Sequence, residues 1–459
     1  MSSPMSSNQK TTLWFALVAM LLATIGFAQS WSVSLGIMNL CLISAIMALG
    51  VNIQWGYAGL INVGVMGFSA LGGMTAVLVS QQPVEEAWQA GWGQLLLAAL
   101  FFAATVTLAI LCYRKIVAGK QRNSMMTAIV VIGLGLTRYF LDPAATAIES
   151  VDPASTGYLG GMNLPIITSW IIGGFVAAGV AWLVGKVALG LRADYLAIAT
   201  LGISEIILAV MKNEDWLTRG VKNVTGLPRP VPYEIDLQSS DWFIQFIQWW
   251  HSGLLNSLNA VDKQVALKQF IIEGSSIFVK LCYAGLFTTV LVVILILSVK
   301  ALDSPWGRMM RAIRDNEVAA GAMGKDVIAR HLQVFVLGSA VIGIAGAMLI
   351  TLDGQFTPTS FRPIRYTFLI WVMVIVGGSG NNMGAVLGSF LIWIAWIEAE
   401  PVGVWMMQFG TSGMADGNML KLHLVENAQH MRLFFMGFVL LLVMRFSPGG
   451  ILPETIRKR

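Results

Sequence analysis

The chain has 459 residues, of which 56% are hydrophobic and only 12% are charged, and its formal net charge is +5. Charged residues make up about a quarter of an ordinary soluble domain, so this composition excludes the soluble globular classes and indicates a protein of the lipid bilayer. The positive net charge is explained by membrane topology, because lysine and arginine accumulate in cytoplasmic loops. It therefore gives no support for nucleic-acid binding.

Apolar stretches of the length needed to span a bilayer recur along the chain. Seven are clear, namely 13–29, 33–54, 94–113, 165–185, 277–299, 332–351 and 431–444. Five more are shorter or are interrupted by glycine, namely 56–80, 124–141, 194–210, 366–376 and 384–397. We therefore predict an all-α integral membrane protein, a polytopic helical bundle with about 12 (10–12) transmembrane or re-entrant segments. Residues 1–459 form a single transmembrane domain in this prediction.

The orientation follows from the basic residues. If twelve spans have both ends inside, most of the lysine and arginine residues lie on the cytoplasmic side, as expected for an inner-membrane protein. We predict cytoplasmic N and C termini and an uncleaved first helix, because the start MSSPMSSNQK carries Lys10 as its one charge and no cleavage site of small residues follows the apolar run.

Two long loops fall on the outer side. Residues 211–275 are rich in aromatic side chains, and their apolar positions recur at roughly helical spacing. An amphipathic helix at the outer membrane interface explains them, since tryptophan favours that layer. A docking surface for an external partner is the alternative. Residues 398–430 are predicted to form a second, mildly acidic outer loop.

Two spans are broken by glycine and asparagine, at 56–74 (GYAGLINVGVMGFSALGGM) and 376–390 (VGGSGNNMGAVLGSF). Irregular backbone at membrane depth is tolerated where it is buried in protein or lines a cavity. Such a pair in the two halves of a transporter points to the substrate path, whereas close helix packing through small residues is an equally good explanation.

The chain lacks the sequence signatures of enzymes. No phosphate loop of the form G-x-x-x-x-G-K-[ST] occurs, so the chain is not expected to hydrolyse ATP by itself. The four histidines lack metal-ligand spacing, and the three cysteines lie in apolar segments as predicted buried thiols. We predict no catalytic residue, no metal site and no cofactor bound by this chain.

Glu205 is the one carboxylate deep in an apolar span. An intramembrane acid is a functional candidate by default, because leaving it charged and unpaired is costly. A structural acid that is hydrogen-bonded to a neighbouring helix is the simpler explanation. We therefore expect Glu205 to organise packing around the substrate path.

Residues 304–326 are the most polar run of the C-terminal half, and they lie in a predicted cytoplasmic loop, 301–330. Ser304 followed by Pro305 fits a helix N-cap with proline at the first position, and the pattern predicts short helices bent near Asp315 or at Gly321 and Gly324. One apolar stripe, broken by Asn316, is predicted, together with two ion pairs at helical spacing. The stripe comprises Met309, Ile313, Ala320 and Met323, and the pairs are Arg311–Asp315 and Arg314–Glu317. Attraction to anionic lipid explains the arginines but does not require the small residues.

The chain resembles the permease subunits of branched-chain amino-acid ABC importers, the LivM type. Four segments carry the resemblance: ALGVNIQWGYAGLINVG (48–64), residues 189–230 from LGLRADYLAIATLG to GLPRP, residues 304–348 from SPWGRMMRAIRDNEVAAGAMGKD to AGAM, and VGGSGNNMGAVLGSFLI (376–392). The chain departs from the family at 59–65, where GLINVGV stands in place of Gly-Gln-Leu-Ser-x-Gly-His, and in insertions around 81–165 and 231–275.

The resemblance implies a function and a set of site residues. The residues of ATPase coupling are Arg308, Arg311, Arg314, Glu317, Ala319, Ala320 and Gly324, which would form a coupling helix seated in a groove of a separate ATPase. The residues of the translocation path are Asn52, Gly56, Tyr57, Gly59, Asn62, Gly64, Glu205, Gly377, Gly378 and Gly380. The implied partners are a second permease of the LivH type, two ATP-binding subunits, a periplasmic substrate-binding protein and membrane lipid. A bacterial inner-membrane location is also implied.

The substrate stays open at this stage. Leucine, isoleucine or valine is expected, and Arg362 and Arg365 are candidates to attract its carboxylate, with anchoring at the membrane surface as the simpler role. Relatives that move urea or short amides are the alternative, and an ion-coupled secondary amino-acid transporter with Glu205 as the coupling group is the alternative from a different class.

Overall fold

The computed structural model describes residues 7–117, 119–153, 156–414 and 418–454, so both chain ends lie outside the described residues. The helices of the first half are α1 (Ser7–Ala28), α2 (Trp31–Val51), α3 (Val65–Ser80), α4 (Glu85–Lys115), α5 (Lys120–Glu149), α6 (Ile166–Ala188), α7 (Ala193–Asn213) and α8 (Asp215–Thr218). The next are α9 (Glu234–Ser239), α10 (Asp241–Trp250), α11 (Ser252–Leu255), α12 (Ala260–Asp303), α13 (Pro305–Asp315) and α14 (Glu317–Ala322). The last are α15 (Val327–Asp353), α16 (Pro363–Gly377), α17 (Asn382–Gly410), α18 (Met419–Glu426) and α19 (Met431–Phe446).

The prediction of an all-α polytopic membrane protein is confirmed. In the described part of the chain, 9 helices are long and apolar enough to cross a membrane, or 10 if the bent pair α18 and α19 is one span. The shorter apolar helices α3 and α16 account for two more of the twelve predicted segments. The exact number of spans and the cytoplasmic location of the termini stay predictions.

The centre of the molecule is the packing of α3, α6 and α15 on one another. Glycines bring these backbones close together. A Cβ atom at Gly72 would lie 1.9 Å from the carbonyl oxygen of Gly343, and one at Gly346 would lie 2.0 Å from that of Ser69. Small residues are the usual means of close helix contact in membranes, and here they lock three helices into a rigid core. Helices α2, α16 and α17 pack around this core.

Helices α4 and α5 form a peripheral hairpin. They pack mainly on each other, and their apolar spans are almost entirely exposed in the isolated chain. This hairpin accounts for most of the insertion predicted at 81–165. Its exposed apolar surface is the expected surface for contact with lipid or another membrane subunit.

The segment 211–275, which was predicted to be an outer loop, is partly a continuous helix. Residues 260–275 belong to α12, a helix of 44 residues and therefore about 66 Å long, so they are not loop. Helix α10 packs on α12 through Phe243, whose ring centroid lies 5.9 Å from that of Phe278. The exposed side of α10 carries Trp242, Trp249 and Trp250. The interfacial position of α10 stays a prediction.

Part of the second predicted outer loop is also helical. Helix α17 continues through Pro401 to Gly410, and α18 follows it. The apolar periodicity of this part is weak, but the helix is held by contacts of α17 with α18 and α19. A two-residue strand, β1 (Val224–Thr225), pairs antiparallel with β2 (Gln355–Phe356).

Candidate functional site

The first helix break joins α2 to α3. Helix α2 ends in a π-helical turn at Asn52–Gly56, and irregular backbone follows until α3 begins at Val65. Side chains replace the missing helical hydrogen bonds. The amide of Asn62 donates to Gln54 (2.9 Å), the amide of Gln54 donates to the carbonyl oxygen of Phe335 (2.9 Å), and the backbone N–H of Gly64 donates to Asn62 (2.9 Å). Because these buried polar groups are hydrogen-bonded, the irregular backbone can lie at membrane depth without a large energetic cost.

The second break joins α16 to α17. Gly378 and Gly380 have positive φ values of 117° and 79°, which favour glycine. Asn381 caps α17, since its side chain accepts from the backbone N–H of Met383 (3.0 Å). The chain thus reverses direction between two helices within a few residues.

The two breaks meet at Asn52, which is fully buried. Its side-chain oxygen accepts from the backbone N–H of Gly380 (2.9 Å), and its amide donates to the side chain of Asn382 (3.0 Å). We refer to Asn52, Gln54, Asn62, Gly380 and Asn382 as the buried hub. The structure therefore brings nine of the ten predicted path residues into one region and leaves out Glu205.

The glycines at the breaks are required by close packing. A Cβ atom at Gly377 would lie 1.9 Å from the carbonyl oxygen of Gly384, and one at Gly64 would lie 2.5 Å from that of Thr200. At Gly56 it would lie 2.6 Å from the backbone nitrogen of Gly380. Of the two explanations offered by the sequence, the structure directly shows close packing through small residues.

The C-terminal tail, residues 447–454, closes over the second break. The backbone N–H groups of Ile451 and Leu452 donate to the carbonyl oxygens of Val376 and Gly377 (both 2.9 Å). Asn381 donates to the carbonyl oxygen of Leu452 (3.1 Å). Sequence analysis gave no role to this tail, because its partners lie about 70 residues away along the chain.

Arg314 belongs to the segment 301–330, which we call the coupling segment after its predicted role. Its side chain connects this segment to the C-terminal tail and to the first helix break. Its Nη1 donates to Glu454 in the tail (2.9 Å) and to the carbonyl oxygen of Gly56 at the first break. Burial alone lowers the pKa of Arg314, but hydrogen bonds and charge from Glu454 and Asp315 outweigh it and raise the pKa above its ordinary value. The guanidinium is therefore a permanent cation in this junction.

The two predicted short helices of the coupling segment are confirmed as α13 and α14. Asn316 separates them, and its side chain caps α14 by accepting from the backbone N–H of Ala319 (2.9 Å). Ser304 occupies the position before α13, but its hydroxyl donates back to Ala301 (2.6 Å). Gly324 ends the unit with φ 76°.

The predicted single stripe and ion pairs are wrong in detail. Met310 and Ile313 are the buried pair on α13, and Met323 is 81% exposed. Arg314 pairs with Asp315 and Glu454, which replaces the expected partner Glu317. Asn316 is extended, so α14 does not continue the helical turn of α13. The residues of the predicted stripe therefore do not lie on one face.

The predicted coupling residues divide into two groups. The guanidinium groups of Arg308 and Arg311 donate to the carbonyl oxygens of Asp303 (3.1 Å) and Leu302 (3.2 Å), which fixes α13 against the end of α12. The second group comprises the other five predicted residues. Arg314 and Ala320 are partly buried, and Glu317, Ala319 and Gly324 are exposed. Helix α14 thus presents an exposed surface of small side chains.

A cavity of about 900 Å³, the vestibule, lies among α7, α16, α17 and α19. Its basic side chains are Lys212, Arg362, Arg365 and Arg432. Arg432 forms an ion pair with Glu400, and the guanidinium of Arg365 lies 5.0 Å from the ring centroid of Trp396. The vestibule therefore has an excess of positive charge, which attracts carboxylates.

Glu205 lines this vestibule and is exposed in the isolated chain. In the described part of the molecule its carboxylate has no hydrogen bond to a neighbouring helix. Its neighbour Ser204 faces the core instead, where it lies against Gly67. The expected role of Glu205 in packing around the path has no contact to support it.

A second, partly enclosed cavity of about 210 Å³, the inner cavity, adjoins the vestibule, since Phe361 and Leu369 line both. Asp353, the last residue of α15, also lines it. Phe335, which belongs to the hub contacts, lies 18 residues earlier on α15, so about 27 Å separates the two levels along the helix. The cavities and the coupling segment therefore adjoin opposite ends of α15.

Sequence reasoning missed Asp353, Lys212 and Arg432 as site residues. Each lies within a turn of the beginning or end of an apolar helix, where charged residues are ordinary membrane anchors. Their convergence depends on how α7, α15 and α19 pack, and no local signal carries it. Among the described residues, no group of three or more His, Cys, Asp or Glu side chains is placed to hold a metal ion.

The model of one protein family, described as the permease component of branched-chain amino acid transport systems, matches residues 144–444. The matched region contains the vestibule, the coupling segment and the second helix break. It begins inside α5, so most of the peripheral hairpin precedes it.

Three relatives are similar to the chain. The high-affinity branched-chain amino acid transport system permease protein LivM of Escherichia coli K12 is 25% identical over 292 residues, which cover 62% of this chain and 56% of the relative. The protein of the same name from Salmonella typhimurium is 24% identical over the same shares. A probable branched-chain amino acid transport permease protein LivM from Methanocaldococcus jannaschii is 26% identical over 155 residues, 34% of this chain and 41% of the relative. The chain thus matches little more than half the length of the first two relatives and less than half the length of the third. No solved structure matches it significantly.

Proposed function

Because the chain belongs to the family of permease components of branched-chain amino acid transport systems, we propose that it is the membrane subunit of an ATP-dependent importer of hydrophobic amino acids. In this proposal it forms the translocation path together with a second permease in the bacterial inner membrane. Two separate ATPase subunits supply the ATP hydrolysis, so the chain itself is not catalytic and binds no cofactor. A periplasmic binding protein delivers the substrate.

The observation that carries the proposal is the exposed helix α14. Atoms placed as Cβ at Gly321 and Gly324 would meet nothing within 4 Å, although the neighbouring helix α13 is packed through Met310 and Ile313. A short, capped helix of small residues, held away from the protein by a packed helix, is suited to insertion into a groove of another protein. We assign that groove to the ATPase.

The coupling route follows from the contacts of Arg314. A displacement of α13 and α14 by the ATPase acts directly on Gly56 at the first helix break and, through Glu454 and the tail, on the second. Since the hub joins both breaks, they respond together. We propose that this joint movement switches access between the vestibule and the cytoplasmic side, as a rigid-body change driven by ATP.

The test is uptake by the complete complex, with its binding protein, in lipid vesicles. ATP-dependent uptake of leucine, isoleucine or valine that survives collapse of the ion gradients supports the proposal. Uptake that needs an ion gradient and no ATP would establish the secondary transporter instead. ATP-dependent uptake of urea or short amides without uptake of leucine would establish the alternative substrate class.

A further inference from the structure

The inner cavity has the size and lining of an aliphatic side chain site. Its volume is about 210 Å³, whereas an apolar cavity of about 150 Å³ holds benzene. If the required volume scales with the number of heavy atoms, the inner cavity accommodates a molecule of about the size of leucine. Methionine and leucine side chains line it, among them Met47, Met66, Leu369 and Met373, and flexible methionines adapt to aliphatic groups of different shape.

Among the described residues that line the cavity, Asp353 supplies the one carboxylate. Within the described residues its carboxylate forms no hydrogen bond or ion pair. It also lies at the C-terminal end of α15, where the unpaired helix carbonyls already produce negative potential. The Asp353 residue is exposed in the isolated chain, and the described residues that line the cavity include no lysine or arginine to pair with it. A cation bound in the cavity would therefore stabilise this carboxylate.

From these features we infer that the inner cavity binds a hydrophobic amino acid during transport, with Asp353 as the counter-ion of its α-ammonium group. The inference rests on the proposed function and deepens it by assigning a binding site within this chain.

The vestibule provides the complementary charge. Arg362 and Arg365 lie at the beginning of α16, where the helix dipole is positive, and they line the vestibule on the other side of Phe361 and Leu369. A zwitterion with its ammonium at Asp353 can direct its carboxylate to this basic side. Neutral urea or a short amide can hydrogen-bond to these groups but has no charge to pair with either, and it would bury polar groups against the apolar lining. The cavity therefore selects for amino acids.

The first experiment compares two variants that each remove one carboxylate from the same side of the protein. Asp353→Asn removes the counter-ion at nearly constant volume, and Asp241→Asn removes an exposed charge of α10 that does not line either cavity. In vesicles that contain the complete complex and its binding protein, Asp353→Asn should lower the rate of leucine uptake about tenfold or more. Asp241→Asn should leave it unchanged. Both variants should retain co-purification with the ATPase.

The second experiment tests occupancy without transport. Ser44 lines the cavity, so Ser44→Cys, in a chain whose Cys41, Cys112 and Cys282 are replaced by alanine, reports the access of a small thiol reagent. Millimolar leucine should slow the labelling of the purified complex, whereas 4-methylpentanoate, which lacks the ammonium group, and urea should not. Asp353→Asn should abolish the protection by leucine.

The outcomes separate the two proposals. If the wild-type complex takes up leucine with ATP but Asp353→Asn behaves like Asp241→Asn, or if leucine gives no protection, the inner cavity is not the binding site and the proposed function stands. If the wild-type complex shows no ATP-dependent leucine uptake, the proposed function is wrong and this inference is wrong with it.

Discussion

Arg314 lies 2.9 Å from Glu454, although 140 residues separate them in the chain, and the same guanidinium donates to the carbonyl oxygen of Gly56. One side chain of the coupling segment thus contacts the C-terminal tail and the first helix break. The side chains of the pair are only 24% and 20% exposed, so water screens their interaction less than it screens an ordinary surface pair.

We expect Glu454→Gln to release the tail. A partly buried pair of this kind contributes about 1–3 kcal/mol, which corresponds to roughly 5–150-fold in a local opening equilibrium. Hydrogen exchange of the Ile451 and Leu452 amides should accelerate by that factor. Asp315→Asn is the matched control, because Asp315 pairs with the same arginine but is 67% exposed. Equal exchange rates in both variants would show that Glu454 does not hold the tail.

Substitution in α14 should detach the ATPase and leave the membrane fold intact. Gly321→Asp introduces a charge on an exposed helical glycine with no neighbour within 4 Å of its Cβ position. Gly253→Asp, in α11, is the same change in the same local environment at a site far from the coupling segment. Co-purification should be lost in the first variant and kept in the second. Retention of the ATPase by both would exclude α14 from the docking surface.

The hub amides should behave as one unit. Asn52→Leu leaves the backbone N–H of Gly380 without an acceptor and the side-chain oxygen of Asn382 without a donor, which should cost about 1–3 kcal/mol for each buried group. Asn382→Ala should also destabilise the protein. Because the two side chains are in direct contact, the double variant should deviate from additivity by about 0.5–3 kcal/mol. Thermal unfolding of the purified protein provides the measurement, and strict additivity would contradict the shared network.

Glu205→Gln should leave both assembly and thermal stability unchanged. The side chain is exposed in the vestibule, and substitutions away from packed or paired positions usually alter stability by less than about 0.5 kcal/mol. ATP-dependent uptake should persist, since in the proposed mechanism the driving force comes from the ATPase. Loss of uptake in a stable, fully assembled variant would favour the alternative in which Glu205 couples transport to an ion.

Local patterns were sufficient for the helices. Each of the twelve apolar segments corresponds to a helix, because a backbone in lipid satisfies its own polar groups most simply in that form. The polar segment 304–324 also contains its two short helices where proline, asparagine and glycine indicate their ends. The loop boundaries were less accurate. Residues 260–275 and 398–410 belong to helices that are longer than the hydrocarbon core of a bilayer requires. Outside the membrane, hydropathy no longer distinguishes a helix from a loop.

The sequence by itself determined that this protein is a helical membrane protein of the permease family, and it predicted that the polar segment 304–324 contacts a partner, because hydropathy, capping residues and a family motif are local signals. Only the tertiary structure decided what the polar side chains do. It paired Arg314 with Glu454, joined the two glycine breaks through Asn52, turned Glu205 towards the vestibule and placed Asp353 in the inner cavity. Each of these relationships depends on which helices pack side by side, and close packing through small residues sets that choice without a periodic signature in the chain.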